Sequence, residues 1–153
     1  MLFRKPISER TVADNLRKWG TGALRRIGTD QPLPDVIQSG KTPQIEETVS
    51  NHPTLKPQHL LRILVRCLLP LGNGRILDPF AGSGSTIAAC QAVGYDSVGL
   101  EIDEEYFKSQ ESNILALSAL YPDFKGAALE MTAADMPKLG QVWQCQPVQG
   151  VLL

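Results

Sequence analysis

The sequence predicts an α/β fold built on a parallel sheet, and three stretches carry that prediction. "RILDPF" (75–80) reads as a short apolar strand ending at a carboxylate, "AGSGST" turns the chain, and "STIAACQAVG" (85–94) reads as a helix closed by a glycine. "SVGLEI" (97–102) is a second strand with its own terminal acid, Glu101. "DEEYFKSQESNILALSALY" (103–121) follows as a helix whose three leading acids suit a helix N-terminus. Strand, turn, helix, strand, helix is the βαβα order, which sets strands side by side in parallel with helices on their faces.

Upstream, residues 8–20 place Val12, Leu16 and Trp19 on one face of a short amphipathic helix, with Ser8 or Thr11 as N-cap and Gly20 as the stop. Trp19 and Trp143 are read as packing groups. From Thr21 to Asn51 the periodicity fades into Gly, Pro, Thr, Gln and Ser, which reads as a linker or surface arm. Order returns at Pro57, whose missing N–H suits the first turn of a helix. Leu60, Leu61, Leu64, Cys67 and Leu68 then make a broad apolar stripe that "PLGNG" ends. Beyond Pro122 the signal weakens: "GAALEM" fits strand or helix, and the tail from Pro137 reads as loosely ordered. The expected organisation is an N-terminal helix and linker arm over 1–50, a core over 51–125 and a weakly patterned tail over 126–153.

Composition narrows the class. The chain has 153 residues, 42% of them apolar and 20% charged, which suits one globular domain and excludes a disordered or collagen-like chain. The run "HLLRILVRCLLPLG" is interrupted by Arg62, Arg66 and Pro70, so it reads as a core helix rather than a membrane span. No apolar stretch of signal-peptide type follows the basic N-terminus, and a cytoplasmic location is expected. Cys67, Cys90 and Cys145 are far apart with no CxxC pair, which supports neither a disulfide frame nor a metal site. Cys67 and Cys90 are read as small buried apolar groups. The net charge of −1 conceals an asymmetry: residues 1–62 carry ten Lys/Arg against six Asp/Glu, residues 63–153 five against ten. A basic front half of that size is weak evidence for contact with nucleic acid.

The turn between the strands is where ligand chemistry is expected. Asp78 arrives at the carboxyl edge of the sheet, where open α/β folds bind ligands. Gly82 and Gly84 let the backbone turn and come close to a ligand, and the next helix aims free N–H groups at a negative group. Glu101, 17 residues past Gly84, stands where a carboxylate accepts hydrogen bonds from ribose hydroxyls. A dinucleotide fingerprint wants Gly or Ala where Ile87 stands, and no G-x-x-x-x-G-K-[ST] occurs, so a P-loop is excluded. Asp78 would repel a pyrophosphate but suits a cationic amine. S-adenosylmethionine has such an amine, together with a carboxylate for the helix N-terminus and ribose hydroxyls for Glu101.

With "HPTLKP" (52–57) added to "ILDPFAGSGST" (76–86), "VGLEID" and "EEYF", the sequence resembles the cofactor-binding half of the β-class DNA amino-methyltransferases, which modify adenine N6 or cytosine N4. The resemblance is specific over 51–114 and looser over the N-terminal segment. It implies a partial Rossmann-like S-adenosylmethionine methyltransferase fold lacking its catalytic-half strands, with S-adenosylmethionine as cofactor and DNA as partner. It also implies roles. Thr54 and Lys56 would touch the methionine moiety, and Asp78, Phe80, Gly82 and Gly84 would form the amino-acid and adenosine cradle. Ser83 and Thr86 would cap or line the turn, Glu101 would hold the ribose and Ile102 would lie against the adenine. Taken alone, Lys56 is a solvated surface cation. His52 and His59 have no partner acid at triad or metal spacing, and Asp103, Glu104 and Glu105 are read as helix-start charges.

The family's transfer chemistry uses an (Asp/Asn/Ser)-Pro-Pro-(Tyr/Phe/Trp) tetrapeptide that orients the target amine and stacks on a flipped base. This sequence contains no Pro-Pro pair. The expectation is therefore the C-terminal part of a methyltransferase, inactive alone, with an exposed sheet edge that a separate catalytic half or a homodimer would cover. A non-catalytic S-adenosylmethionine-binding or regulatory module is the alternative. A nucleotide-binding domain of another enzyme is disfavoured by Ile87.

Overall fold

The structure, a computed structural model, describes residues 3–28, 31–50 and 52–126. Its elements run α1 (Val12–Trp19), α2 (Gln44–Glu47), α3 (Gln58–Leu68), β1 (Arg75–Asp78), α4 (Ser85–Val93), β2 (Asp96–Gly99) and α5 (Glu104–Ala119). The strands pair in parallel with Arg75 opposite Asp96 and Asp78 opposite Gly99. Two backbone bonds extend the ladder past the strand ends, Leu100 N–H to Asp78 O at 2.9 Å and Ala81 N–H to Leu100 O at 2.8 Å. The expected α/β order with a parallel sheet is the observed one. "GAALEM" past Gly126, Cys145, Trp143 and the tail from Pro137 lie outside the described residues.

α4 is the central helix because its residues are small. Ala88, Ala89, Cys90 and Ala92 are buried, so α3 and α5 can both approach it closely. Ile76 of β1 packs with Val65 of α3 and with Ala89 and Cys90, making the layer between sheet and helices. Leu55, Ala88 and Leu117 form a second cluster toward α5. Burial holds the Cys67 thiol above its ordinary range and pushes Cys90 up to about 11, so both remain neutral packing groups, as expected.

Three expectations need correction. The described residues from Thr21 to 28 and from 31 to 50 are packed rather than a linker arm. Ile27 is buried in a cluster with Ile63, Cys67, Tyr121 and Phe124, on which Leu33, Ile37 and Ile45 also pack. The Arg25 N–H pairs with the Cys67 carbonyl at 2.9 Å. Its apolar residues follow no period because the described residues of the segment lie as an irregular strap against α3, with one short helix, α2, among them. In α1 the caps are Thr11, which accepts the Asp14 N–H, and Gly20, but the buried residue is Asn15 while Trp19 is 59% exposed. Trp19 is thus a surface ring, its Nε1 donating to Ser8 Oγ at 2.9 Å and Lys18 Nζ lying 5.0 Å from its centroid.

The third correction concerns α3. Its buried residues are Gln58, Arg62, Ile63, Val65 and Cys67, whereas Leu68 of the expected stripe is exposed. Arg62, which the sequence suggests as an interruption, is 0% exposed. Its Nη1 donates to the carbonyls of Tyr121 (2.9 Å) and Phe124 (3.0 Å), and its Nη2 to those of Leu117 (3.0 Å), Ser118 (3.2 Å) and Leu120 (2.7 Å). The last carbonyls of a helix have no intrahelical donor, and the guanidinium fork supplies one from a neighbouring element. It also secures Tyr121, whose backbone takes an uncommon left-handed φ of 52°.

Candidate functional site

The site is built where β1 and β2 deliver their carboxyl ends. Asp78 ends β1, and its Oδ1 accepts the Phe80 N–H at 3.0 Å, an Asp-based turn that starts the loop. β2 ends at Gly99, two residues short of Glu101. Because the ladder continues through Leu100, Glu101 emerges at the same edge as Asp78, on the neighbouring strand.

Glu101 is tied to the turn directly. Its Oε2 accepts the Gly82 N–H at 2.6 Å and its Oε1 accepts the Asp103 N–H at 2.9 Å. These bonds, the Asp103 one foremost, hold its carboxyl below the usual carboxylate range. Each oxygen keeps a lone pair for a further donor. Asp103 then caps α5 by accepting the N–H groups of Glu105 and Tyr106, and Glu104 pairs with Lys108 at 2.6 Å. These acids are helix-start charges, as the sequence suggests.

Both turn glycines have a positive φ, and a different neighbour crowds each. Gly82 lies at φ +52°, and a methyl group there would come within 3.1 Å of His52 Nε2. Gly84 lies at φ +83°, and a methyl group there would come within 2.6 Å of Ile114 Cγ1 on α5. Packing of protein groups therefore explains the missing side chain at both positions. Ser83 and Ser85 are buried with their hydroxyls 2.8 Å apart, and Gly84 is the N-cap of α4 with no side-chain cap. Thr86 is half-buried on the first turn of α4. Ile87 packs toward Gly99 of β2, where a methyl group would meet it at 3.1 Å.

Around this turn stand the remaining expected residues. Leu55 is buried against Ala88 and Leu117 and anchors the loop that presents Thr54 and Lys56, both exposed. The Thr54 N–H donates to His52 Nδ1 at 3.2 Å, with the Thr54 hydroxyl at the same distance. The His52 ring meets Tyr106 edge-on, centroids 4.3 Å apart. Phe80 is 88% exposed and Ile102 fully exposed, so an aromatic ring and an aliphatic chain stand in solvent beside Glu101. His59 is placed elsewhere, stacked on Phe124 at 4.7 Å, and burial lowers its pKa. Sequence reasoning passed over Gln110, whose Nε2 donates to the Gly82 carbonyl at 2.8 Å; nothing in its local pattern separates it from an ordinary helix-surface glutamine.

No group of three or more His, Cys, Asp or Glu arranged for a metal occurs among the described residues, and none of their helices is long and apolar enough to cross a membrane.

Known proteins carry the same segment. The type II methyltransferase M2.DpnII of Streptococcus pneumoniae is 31% identical over 85 residues, covering 56% of this chain and 31% of that protein. The DNA adenine methyltransferase YhdJ of Escherichia coli is 45% identical over 58 residues, covering 38% of this chain and 19% of that protein. A crystal structure of an M1.HpyAVI–SAM complex matches with a TM-score of 0.37 and 30% identity, covering 53% of this chain and 35% of that one. The chain thus spans about a third or less of the length of these relatives. The DNA methylase family model matches residues 11–112, most of the chain. On that match the chain belongs to the N6/N4 DNA methylase family.

Proposed function

We propose that this chain is the cofactor-binding portion of a DNA amino-methyltransferase, one that moves a methyl group from S-adenosylmethionine to the exocyclic amine of adenine (N6) or cytosine (N4). The observation that carries the reading is the link between Glu101 and Gly82 at 2.6 Å, which joins an acid at the end of one parallel strand to the glycine turn after the other.

In this reading Glu101 receives the ribose hydroxyls, while Phe80 and Ile102 close over the adenine and gain the burial they lack in the free chain. The Asp78 carboxylate faces the cofactor's ammonium, and Thr54 and Lys56 supply donors for its carboxylate. Gly82 and Gly84 keep the turn low, and Ser83 and Thr86 shape it from within and along its rim. When bound, S-adenosylmethionine supplies the electrophilic methyl on its sulfonium. The residues of this chain orient it and exclude water from it. The sequence has no Pro-Pro tetrapeptide for the target amine, and on this reading methyl transfer needs a complementing segment that supplies one, so the isolated chain is expected to be inactive. Exposure of Leu77, Val98 and Leu100, on a parallel sheet of a kind that other folds cover on both faces, supports such a partner.

Calorimetric titration with S-adenosylmethionine, with NAD as control, tests the reading. Binding of the first without the second is expected. Absence of S-adenosylmethionine binding, both alone and after addition of a catalytic half, overturns it. Labelled-methyl transfer to duplex DNA only in the complemented mixture is the expected second result.

A further inference from the structure

The peptide groups on both sides of Gly82 are held by side chains from elsewhere. Glu101 Oε2 takes the Gly82 N–H at 2.6 Å, and Gln110 Nε2 donates to the Gly82 carbonyl at 2.8 Å. The His52 ring covers the same residue, itself set by Thr54 on one side and Tyr106 on the other. A glycine at φ +52° has many alternatives open to it in a free loop, and three contacts from three elements remove them.

Gln110 is the part of this arrangement with no other evident duty. It is buried on the face of α5 that also carries Asn113, Ile114 and Leu117, spaced as neighbours on a helix. Ile114 lies over Gly84 and Leu117 against Ala88, so the same face seats the turn and the first half of α4. An alkyl side chain would pack there as well. A donor is needed only if the Gly82 carbonyl must be held in one orientation.

We propose that Gln110 is a positioning residue of the ligand site: its bond to Gly82 fixes the glycine turn in the shape that receives the nucleoside, with His52 as the cover that keeps it there. This rests on the function proposed above for what the turn receives. The holding of Gly82 itself does not depend on that reading. Preorganisation of this kind acts on affinity by lowering the ordering cost at binding.

Two measurements on the full chain separate the claims. In Gln110→Met, which keeps shape and loses the donor, hydrogen-exchange protection at the Gly82 and Ser83 amides is expected to fall about tenfold without ligand, while amides of α3 and β1 keep theirs. In Gln110→Glu the protection factor returns as the pH is lowered and the new carboxyl gains a proton to donate. Unchanged protection at Gly82, or an equal loss across α3 and β1, overturns the inference. The second measurement is affinity for S-adenosylhomocysteine, expected to fall about tenfold in Gln110→Met and, in Gln110→Glu at low pH, to return to that of the parent chain at the same pH, since Glu101 faces Gly82 in both. If the variant binds as tightly as the parent chain, a role in the ligand site is overturned. A parent chain that binds no S-adenosylhomocysteine sinks the proposed function, and the ligand-site role of Gln110 with it, while the exchange data still decide whether Gln110 holds the turn.

Discussion

Two carboxylates in this molecule do the same local job in opposite surroundings. Glu46 accepts the Gln58 N–H at 2.9 Å at the start of α3, and Glu101 accepts the Gly82 N–H at 2.6 Å in the turn before α4. Glu46 is fully buried, and desolvation raises its pKa despite that N–H and the nearby Arg62 charge. Glu101 is only half-buried, at the open edge of the sheet, and its amide bonds lower its pKa. Burial, rather than the hydrogen bond, decides which form each group favours.

The buried region also carries unmet polar demand. Glu46 Oε1, Gln58 Oε1, Arg62 Nε and the Tyr121 hydroxyl are buried, with no hydrogen-bond partner among the described residues. The Tyr121 hydroxyl is close enough to Glu46 for each to perturb the other, yet their geometry falls short of a hydrogen bond. Burial also brings Arg62 down to about 10, still charged at neutral pH. Such a cluster is costly to assemble and more costly to break. The open turn is the reverse, inexpensive to alter as structure and sensitive as a site.

That contrast orders the expected effects of substitution. Arg62→Ala should be the most damaging, because it removes a donor from five carbonyls at the end of α5 and in the following turn, of which only those of Leu117 and Tyr121 keep a backbone donor among the described residues. A loss of about 3 kcal/mol or more in urea unfolding is expected, and a loss under about 1 kcal/mol would break the comparison. Glu46→Ala should cost on the order of 2 kcal/mol by leaving the Gln58 N–H buried without an acceptor.

Glu46→Gln sharpens the point through pH. A carboxyl whose folded pKa is raised binds its proton more tightly when folded. Its contribution to stability is full below the unfolded value of 4.5 and is lost as the pH rises through the folded one. The parent chain should therefore lose a component of stability above pH 4.5 that Glu46→Gln does not lose, as read from denaturation midpoints across pH. Glu101 has the opposite sign: its contribution is present above 4.5 and is lost as the pH falls through its lowered pKa.

At the open site, Glu101→Ala should lower the unfolding midpoint at neutral pH by less than Glu46→Ala does, through the two amide bonds it loses, and weaken S-adenosylmethionine binding by about tenfold or more. A large stability loss without a binding loss would make Glu101 a purely structural group. Phe80→Ser should have the smallest effect on the fold, within about 0.5 kcal/mol because its ring is exposed, with a few-fold loss of affinity by titration.

Local chemistry determined a good deal by itself. The βαβα order, the glycine turn, the caps at Thr11, Gly20, Gly94 and Asp103 and the buried cysteines follow from residue type and spacing, because each depends on neighbours within a few positions. Only the tertiary structure decided that residues 21–28 and 31–50 form a packed strap, that Trp19 faces solvent, and that Arg62 and Glu46 are core residues. Their partners lie far along the chain: Arg62 meets carbonyls 55 to 62 residues away, and Gln110 meets a glycine 28 residues away. A polar side chain in a helix looks solvated until the fold brings unpaired backbone groups to it, and no period in the sequence records that meeting.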